Sequence, residues 1–212
     1  MKLYGYWRSS AAYRVRIALN LLGLDCELLS VHLVKNGGEQ HLEEYKQKNP
    51  HELVPCLIDG DVCLNQSLAI IDYLSAKATN VSLLPADLVK QSLVKAFSYD
   101  VACEIHPLNN LRVQQYLVNE LKVSDEHKMQ WVHDWMHTGF AALEVKLQSH
   151  AGKYCFGDEV TLADLCLIPQ VYNALRFNVD MAKYPLIMAI YEQCNTHPAF
   201  IEAQPENQAD AQ

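Results

Sequence analysis

The residues best suited to chemistry form one run, Arg8-Ser9-Ser10-Ala11-Ala12-Tyr13-Arg14-Val15-Arg16. The run follows a short apolar stretch, residues 3–7, and opens a segment in which Ile17, Ala18, Leu21 and Leu22 share one helical face. Serines at such a junction mark a helix start, because their hydroxyls can take up N–H groups that the first turn leaves unpaired. A helix start also carries partial positive charge and stabilises an anion placed beside it. Taken alone, Ser9 and Ser10 read first as plain caps. Gln66-Ser67 opens a second helix in the same manner.

Positioning these residues requires an alternating first part. Residues 3–7 form a strand, and residues 10–22 a helix stopped by Gly23. Residues 26–33 read as a second strand, 35–38 as a loop, and the stretch to Lys48 as a polar helix. Two apolar runs, 54–58 and 62–64, flank Asp59-Gly60-Asp61 and signal a β-hairpin. A helix over 66–76 follows, with Leu68, Ile71 and Leu74 spaced for burial. The order βαβ–α–ββα predicts a small mixed sheet with helices against it, over residues 1–78.

Residues 77–87 carry no periodic pattern and read as a linker. Everything from 88 to 205 is helical: one long segment over 88–121 that Pro107 must kink or end, a helix over 124–148 capped by Ser124, and another over 161–176. Two shorter helices fill 184–201, and the polar tail after Ala203 reads as disordered. Thr161 and Asp164 have the spacing of a reciprocal capping box, with Val160 and Leu165 placed for a hydrophobic staple. Pro169 inside that helix costs about 3 kcal/mol by propensity, which packing must offset.

Half of the 212 residues are hydrophobic, enough for a substantial core. A net charge of −8 with no basic run argues against nucleic acid as a partner, but leaves room for a small anion in a local positive pocket. No apolar stretch has the length of a membrane span, and Met1-Lys2 leads straight into a strand pattern, so neither a membrane nor a secretory signal is expected. Seven cysteines without a Cys-x-x-Cys pair predict reduced, mostly buried thiols of a cytoplasmic protein, with no metal site.

The element order, together with Ser9-Ser10-Ala11-Ala12-Tyr13-Arg14-Val15-Arg16-Ile17-Ala18-Leu19, resembles the zeta class of glutathione transferases, whose signature is Ser-Ser-Cys-x-Trp-Arg-Val-Arg-Ile-Ala-Leu. Asn49-Pro50, Val54-Pro55, Gln66-Ser67-Leu68-Ala69-Ile70-Ile71 and Gly157-Asp158-Glu159-Val160-Thr161-Leu162-Ala163-Asp164 fit the same class. The resemblance covers nearly the whole chain. It implies a thioredoxin-like N-terminal domain, a helical C-terminal domain and a homodimer. It also implies glutathione as cofactor, maleylacetoacetate isomerase activity in tyrosine and phenylalanine catabolism, and side transferase activity. Ala11 stands where the family has cysteine, and Tyr13 where it has tryptophan. The family's isomerase chemistry uses the thiol of glutathione, so a missing protein thiol does not disable it.

Residue roles follow from that resemblance. Ser9, with Ser10 as second choice, donates a hydrogen bond to the glutathione thiolate at the start of the first helix, beside Ala11. The residue before a proline is driven to extended geometry, so Val54 can offer its N–H and C=O to the cysteinyl backbone, with Pro55 cis. Gln66 and Ser67 suit the γ-glutamyl carboxylate, and Gln40 the glycyl end. By position His106, Asn110 and Arg112 approach glutathione. Arg8 is the first choice for a clamp on a dicarboxylate-type keto acid, and Arg176 the second. His106 can orient a substrate carboxylate or act as a general acid. Each has a plainer reading: Val54-Pro55 as a strand entry, Gln40 as a surface residue, Arg176 as a partner for its helix dipole, His106-Pro107 as a structural kink. Arg14 and Arg16, further into the helix, read as structural ion-pair partners. Maleylpyruvate isomerisation, dehalogenation of α-halo acids, and a non-catalytic binding module are the alternatives.

Overall fold

The computed structural model describes residues 1–78 and 81–212. The expected linker over 77–87 includes Thr79 and Asn80, which lie outside the described residues, and its first residue, Lys77, closes a helix instead. By packing, the chain divides into two compact units, Met1–Ser82 with Thr196–Gln212, and Leu83–Asn195.

The first unit is built on a four-stranded sheet in the order β2-β1-β3-β4. Strands β1 (Lys2–Gly5) and β2 (Glu27–Ser30) pair in parallel through the crossover helix α1 (Ser10–Leu22). Strand β3 (Cys56–Asp59) runs antiparallel to β1 and turns through Gly60 into β4 (Val62–Asn65). This is the thioredoxin-like arrangement. Helix α1 ends where Gly23 enters the left-handed region at φ 64°, with Leu24 N–H returning to Leu19 O. That is the Schellman stop which only glycine forms at low cost. Its buried residues Ala12, Val15, Ile17 and Ala18 face the core, and it packs against α3 (Ser67–Lys77).

Two expectations for this unit are corrected. The polar stretch before Lys48 makes only one turn of α-helix, α2 (Glu43–Lys46), preceded by two 3₁₀ turns. Leu42 takes an extended backbone (ψ 140°) between the second 3₁₀ turn and α2, and so interrupts any longer helix. The tail after Ala203 is ordered: it forms a 3₁₀ turn at Pro205–Asn207, and the Asp210 carboxylate accepts from Trp7 N–H at 3.2 Å and Ser30 hydroxyl at 2.8 Å. Polar composition suggested a solvated end, but a carboxylate paired to a strand end holds it down.

The second unit is helical: α4 (Leu88–Tyr99), α5 (Leu111–Asn119), α6 (Asp125–Leu147), α7 (Leu162–Arg176) and α8 (Pro185–Cys194). The last helix, α9 (Pro198–Ala203), follows it in sequence but packs against α1 of the first unit. Pro107 ends α4's segment. It has no N–H for the carbonyl four residues earlier, and the chain widens into a π turn at Asp100–Ile105 before a 3₁₀ turn at His106–Asn109. Helix α6 approaches that π turn closely at Gly139, where a Cβ would lie 2.3 Å from Ile105 Cγ1.

Helix α7 runs through the unit's core, buried along most of its length. The capping box is present, with Asp164 at its centre. The fully buried Asp164 carboxylate accepts from Thr161 N–H at 2.8 Å, Thr161 hydroxyl at 3.0 Å and Cys155 N–H at 2.8 Å. Burial pushes its pKa up, and these donors oppose the shift. Asp164→Ala would strand two buried N–H groups and should lower stability by about 2–4 kcal/mol, read as a reduced Tm by calorimetry. An unchanged Tm would show that the carboxylate merely fills space.

Candidate functional site

The first cluster surrounds the starts of α1 and α3. Ser9 sits at the N-cap of α1 in extended backbone (φ −70°, ψ 116°), and its Oγ accepts the Ala12 N–H at 3.2 Å. A hydroxyl has one proton and two lone pairs, so an Oγ that accepts from behind keeps its proton for an outward acceptor. Ser10 is buried in the first turn, whereas Ser9 is only half-buried. Ser9 is therefore the more accessible of the two. Ala11 beside it is half-buried and brings no polar atom.

The same logic operates at α3. Arg14, 2% exposed, reaches from α1 to donate from Nη1 to Ser67 Oγ at 3.3 Å. A guanidinium only donates, so Ser67 accepts there and its own proton is left for another group. Among the described residues no side chain caps α3. Its first N–H groups, with the helix dipole behind them, form a ready anion site. Gln66 precedes them with φ 67°, an uncommon conformation for a non-glycine residue and one that cluster geometry has to hold.

A third part is backbone. The Val54–Pro55 peptide is cis. Among the described residues neither the N–H nor the C=O of Val54 has a hydrogen-bond partner, so its edge is open to an extended chain. The preceding carbonyl, Leu53 O, is held by Tyr45 hydroxyl at 2.6 Å and Asn49 Nδ2 at 2.7 Å. Asn49 Oδ1 in turn accepts from His51 N–H and Asn65 Nδ2. Gln40 is buried rather than a surface residue: Nε2 donates to Leu33 O at 3.2 Å, while Oε1 has no partner among the described residues. Gly38 makes room for it, since a Cβ there would lie 2.5 Å from Gln40 Nε2. Beside it His41 bonds Glu52, which holds the Glu52 carboxyl below its ordinary range.

Arg8 stacks on the indole of Trp7, its Cζ 4.3 Å from the ring centroid, and its buried Nε has no partner among the described residues. Arg14 and Arg16, expected as structural partners, both bond oxygens of the first unit. Arg14 binds Ser67, and Arg16 donates to Ala203 O and Trp7 O, both at 3.0 Å.

The helical unit places its candidates on one network. Asn110 caps α5, its Oδ1 accepting Arg112 N–H at 3.1 Å, and its Nδ2 lies 3.5 Å from His106 Nε2. The neighbouring Asn109, buried, accepts from Asn173 Nδ2 at 3.0 Å. Asn173 Oδ1 accepts from Arg176 Nη2 at 2.8 Å, and that guanidinium stacks on Phe177. Arg176 and the His106–Asn110 turn are thus joined through two buried amides. Arg112 is exposed, and among the described residues only its backbone N–H joins this network.

Comparison with known proteins matches this architecture end to end. Residues 1–76 fit the family model "Glutathione S-transferase, N-terminal domain", and 110–202 the corresponding C-terminal domain. A Vibrio cholerae protein named probable maleylacetoacetate isomerase is 53% identical over 209 residues, covering 99% of this chain and 97% of its own. A zeta-class glutathione S-transferase of Euphorbia esula is 45% identical, covering 100% of this chain and 92% of its own. The chain belongs to the zeta class of glutathione S-transferases. Among solved structures, a zeta-class bacterial maleylpyruvate isomerase in its holo form is 42% identical with a TM-score of 0.96, each chain covered completely. The maleylacetoacetate isomerase of Methylobacterium extorquens, solved with bound malonate and glutathione, is 38% identical with a TM-score of 0.95, again with both chains fully covered.

Within this zeta-class chain, sequence reasoning passed over Arg14, Asn109 and Asn173 as site-building groups. Their only sequence signal is polarity inside otherwise apolar helical faces, which does not say what they touch. Asn109→Ala would leave the buried Asn173 amide without its acceptor and should cost about 1–3 kcal/mol. A urea titration checks this, and an unmoved midpoint would mean the amide pair carries no net energy.

Proposed function

We propose that the protein is a glutathione-dependent cis–trans isomerase converting maleylacetoacetate to fumarylacetoacetate, with side transferase activity. The observation that carries this reading is Ser9 at the start of α1, its lone pair filled by Ala12 N–H and its proton free for a sulfur anion. The residues present fit the cofactor. The open Val54 backbone suits the cysteinyl amide, and the uncapped start of α3 with Ser67 suits the γ-glutamyl carboxylate. The unpartnered Gln40 Oε1 suits an N–H toward the glycyl end. Gln66 and Ala11 line the same starts, and the family resemblance adds His106, Asn110 and Arg112 as glutathione-binding residues.

When bound, glutathione supplies a nucleophilic sulfur that adds to the cis double bond beside a carbonyl, frees it to rotate, and leaves again unchanged. The chain's own residues ionise and aim that sulfur. A free thiol of pKa ~8.5 is mostly protonated at neutral pH, and a helix start with a hydroxyl donor lowers that value. Ser9 holds the hydrogen bond, with Ser10 second. Arg8, flattened on Trp7 with a free Nε–H, binds a carboxylate of the keto acid. Arg176, pre-oriented by Asn173, is the second cation, and His106 orients the substrate or gives it a proton. Ala11 removes no required group, since no protein thiol takes part. The active form we propose is a cytoplasmic homodimer. Among the described residues, no helix is long and apolar enough to cross a membrane.

A second reading, maleylpyruvate isomerisation, is favoured by the likeness to the holo maleylpyruvate isomerase structure. Assaying both substrates side by side, with and without glutathione, separates the two. Ser9→Ala should lower kcat by about 10²-fold, the scale of one positioned donor. Full turnover in that variant would remove Ser9 from the chemistry. Arg8→Ala should mainly raise KM for the keto acid. Arg14→Met and Ser67→Ala should each weaken glutathione binding by about tenfold, the worth of a charge-assisted hydrogen bond. Calorimetric titration of the double variant should show no further loss; fully additive losses would separate the two residues. A protein that bound no glutathione at millimolar concentration would be a scaffold, not an enzyme.

A further inference from the structure

Two thiols without an assigned role meet on the β3–β4 hairpin. Cys56 of β3 and Cys63 of β4 lie on one face of the hairpin, diagonal in a ladder that pairs Cys56 with Asn65 and Ile58 with Cys63. Their sulfurs are 3.6 Å apart. Both also face the carbonyl of Lys48, Cys63 Sγ at 3.2 Å and Cys56 Sγ at 3.9 Å. Their surroundings differ sharply. Cys56 is fully buried beside Val31 and Tyr45, whereas Cys63 is exposed.

We propose that this pair is a thiol–disulfide exchange site for small glutathione-type disulfides, with Cys63 as the attacking thiol and Cys56 as the resolving one. Exposure assigns the order. A disulfide in solution reaches Cys63 alone, and burial together with the neighbouring thiol pushes the Cys56 thiol up to about 12, so Cys56 waits as a protonated thiol. In the first step the Cys63 thiolate attacks one sulfur of the small disulfide. A bond from Cys63 Sγ forms, the original sulfur–sulfur bond breaks, and one small thiolate leaves, taking up the proton Cys63 gave to solvent. In the second step Cys56 loses its proton and attacks Cys63 Sγ. The Cys56–Cys63 bond forms, the mixed disulfide breaks, and the second small thiol leaves with that proton. Two protein thiols are oxidised and one small disulfide is reduced to two thiols.

The fold permits the closure. Diagonal neighbours in a ladder stand about 7–8 Å apart at Cα, slightly more than a disulfide spans. Strand β4 is the sheet edge and pairs only with β3, so it can give the difference. A cross-link made at that cost is one that thiols readily reduce.

Its position links it to cofactor binding. Strand β3 begins directly after the cis-Pro55 peptide, and β4 ends at Asn65, directly before Gln66-Ser67. Lys48, which loses both S–H donors on oxidation, adjoins Asn49, the brace of Leu53 and Asn65. Oxidation therefore bears on both arms that we assign to the tripeptide, a consequence that rests on the glutathione-binding reading. The oxidised form should bind the tripeptide about fivefold more weakly, the scale of one neutral hydrogen bond.

The test exposes the full-length protein to glutathione disulfide, blocks remaining thiols with an alkylating reagent and maps peptides by mass. The expected product joins Cys56 to Cys63 with loss of two hydrogens, and dithiothreitol reverses it. Cys56→Ser should stop at a mixed disulfide on Cys63, and Cys63→Ser should leave Cys56 unmodified. Wild-type protein that stops at the mixed disulfide, or that keeps both sulfurs alkylatable, would overturn the proposal. Affinity is then read with S-methylglutathione, which cannot reduce the cross-link. Weaker binding by oxidised wild type but not by the identically treated double serine variant supports the linkage, and equal affinities overturn it. Failure of the reduced protein to bind the analogue would count against the cofactor reading while leaving the mass result intact.

Discussion

A hydroxyl with one proton can be aimed by filling one of its lone pairs, and this protein does so at two helix starts. The Ala12 N–H does it at Ser9, and the Arg14 guanidinium does it at Ser67. Both fillers come from α1, which makes that helix the element on which the site depends. A donor set in this way by backbone or by a buried side chain needs no reorganisation when an anion arrives. The apolar face of α1 supplies the rigidity, because Val15, Ile17 and Ala18 are fully buried and cannot rotate out of register.

Much of the remaining first unit holds α1 still. Tyr13 hydroxyl reaches Phe200 O, Arg16 reaches Ala203 O, and Asn20 reaches Ala199 O. These three bonds explain why α9 and the tail pack on the first unit although they follow the helical unit in sequence. The tail's own anchor, Asp210 at the end of β1 and β2, completes the clasp. Strain sits where polar backbone must stay open. Among the described residues Val54 has no backbone partner, Gln66 takes a positive φ, and the Asn49 amide and Tyr45 hydroxyl hold the preceding carbonyl, Leu53 O.

In the helical unit several buried polar groups are satisfied by one another, although the Gln170 amide, fully buried in α7, has no partner among the described residues. Asp164 gathers three donors in an apolar interior, and Asn109 and Asn173 pair so that Arg176 is held by an acceptor of fixed position. Buried polar groups without partners are costly, so such pairs define one arrangement of the helices and reject others. Pro107 contributes by refusing a hydrogen bond. Separately, the Asn109 side-chain amide donates to the Ile105 carbonyl at 2.7 Å, which fixes the turn carrying His106 and Asn110.

The order of elements, the stop at Gly23, the capping box at Thr161 and the break near Pro107 were legible in the sequence, as were both serine-bearing helix starts. Each depends on residues within about one helical turn of one another, and local chemistry suffices to specify it. Strand ends were misjudged by a few residues, and the polar stretch before Lys48 was read as too long a helix, because strand pairing and the extended backbone at Leu42 settle those limits. The burial of Gln40 was missed in its plainer reading as a surface residue, Asn109 and Asn173 were passed over, and the tail was taken for solvated chain. Several partners lie far along the chain, 53 residues away for Arg14 and Ser67, 64 for Asn109 and Asn173 and 180 for Ser30 and Asp210, while the burial of Gln40 follows from how its loop packs. Composition and periodicity say which side chains are polar and which faces are apolar. Only the folded chain decides which distant donor meets which acceptor, because that pairing is set by how the apolar faces pack.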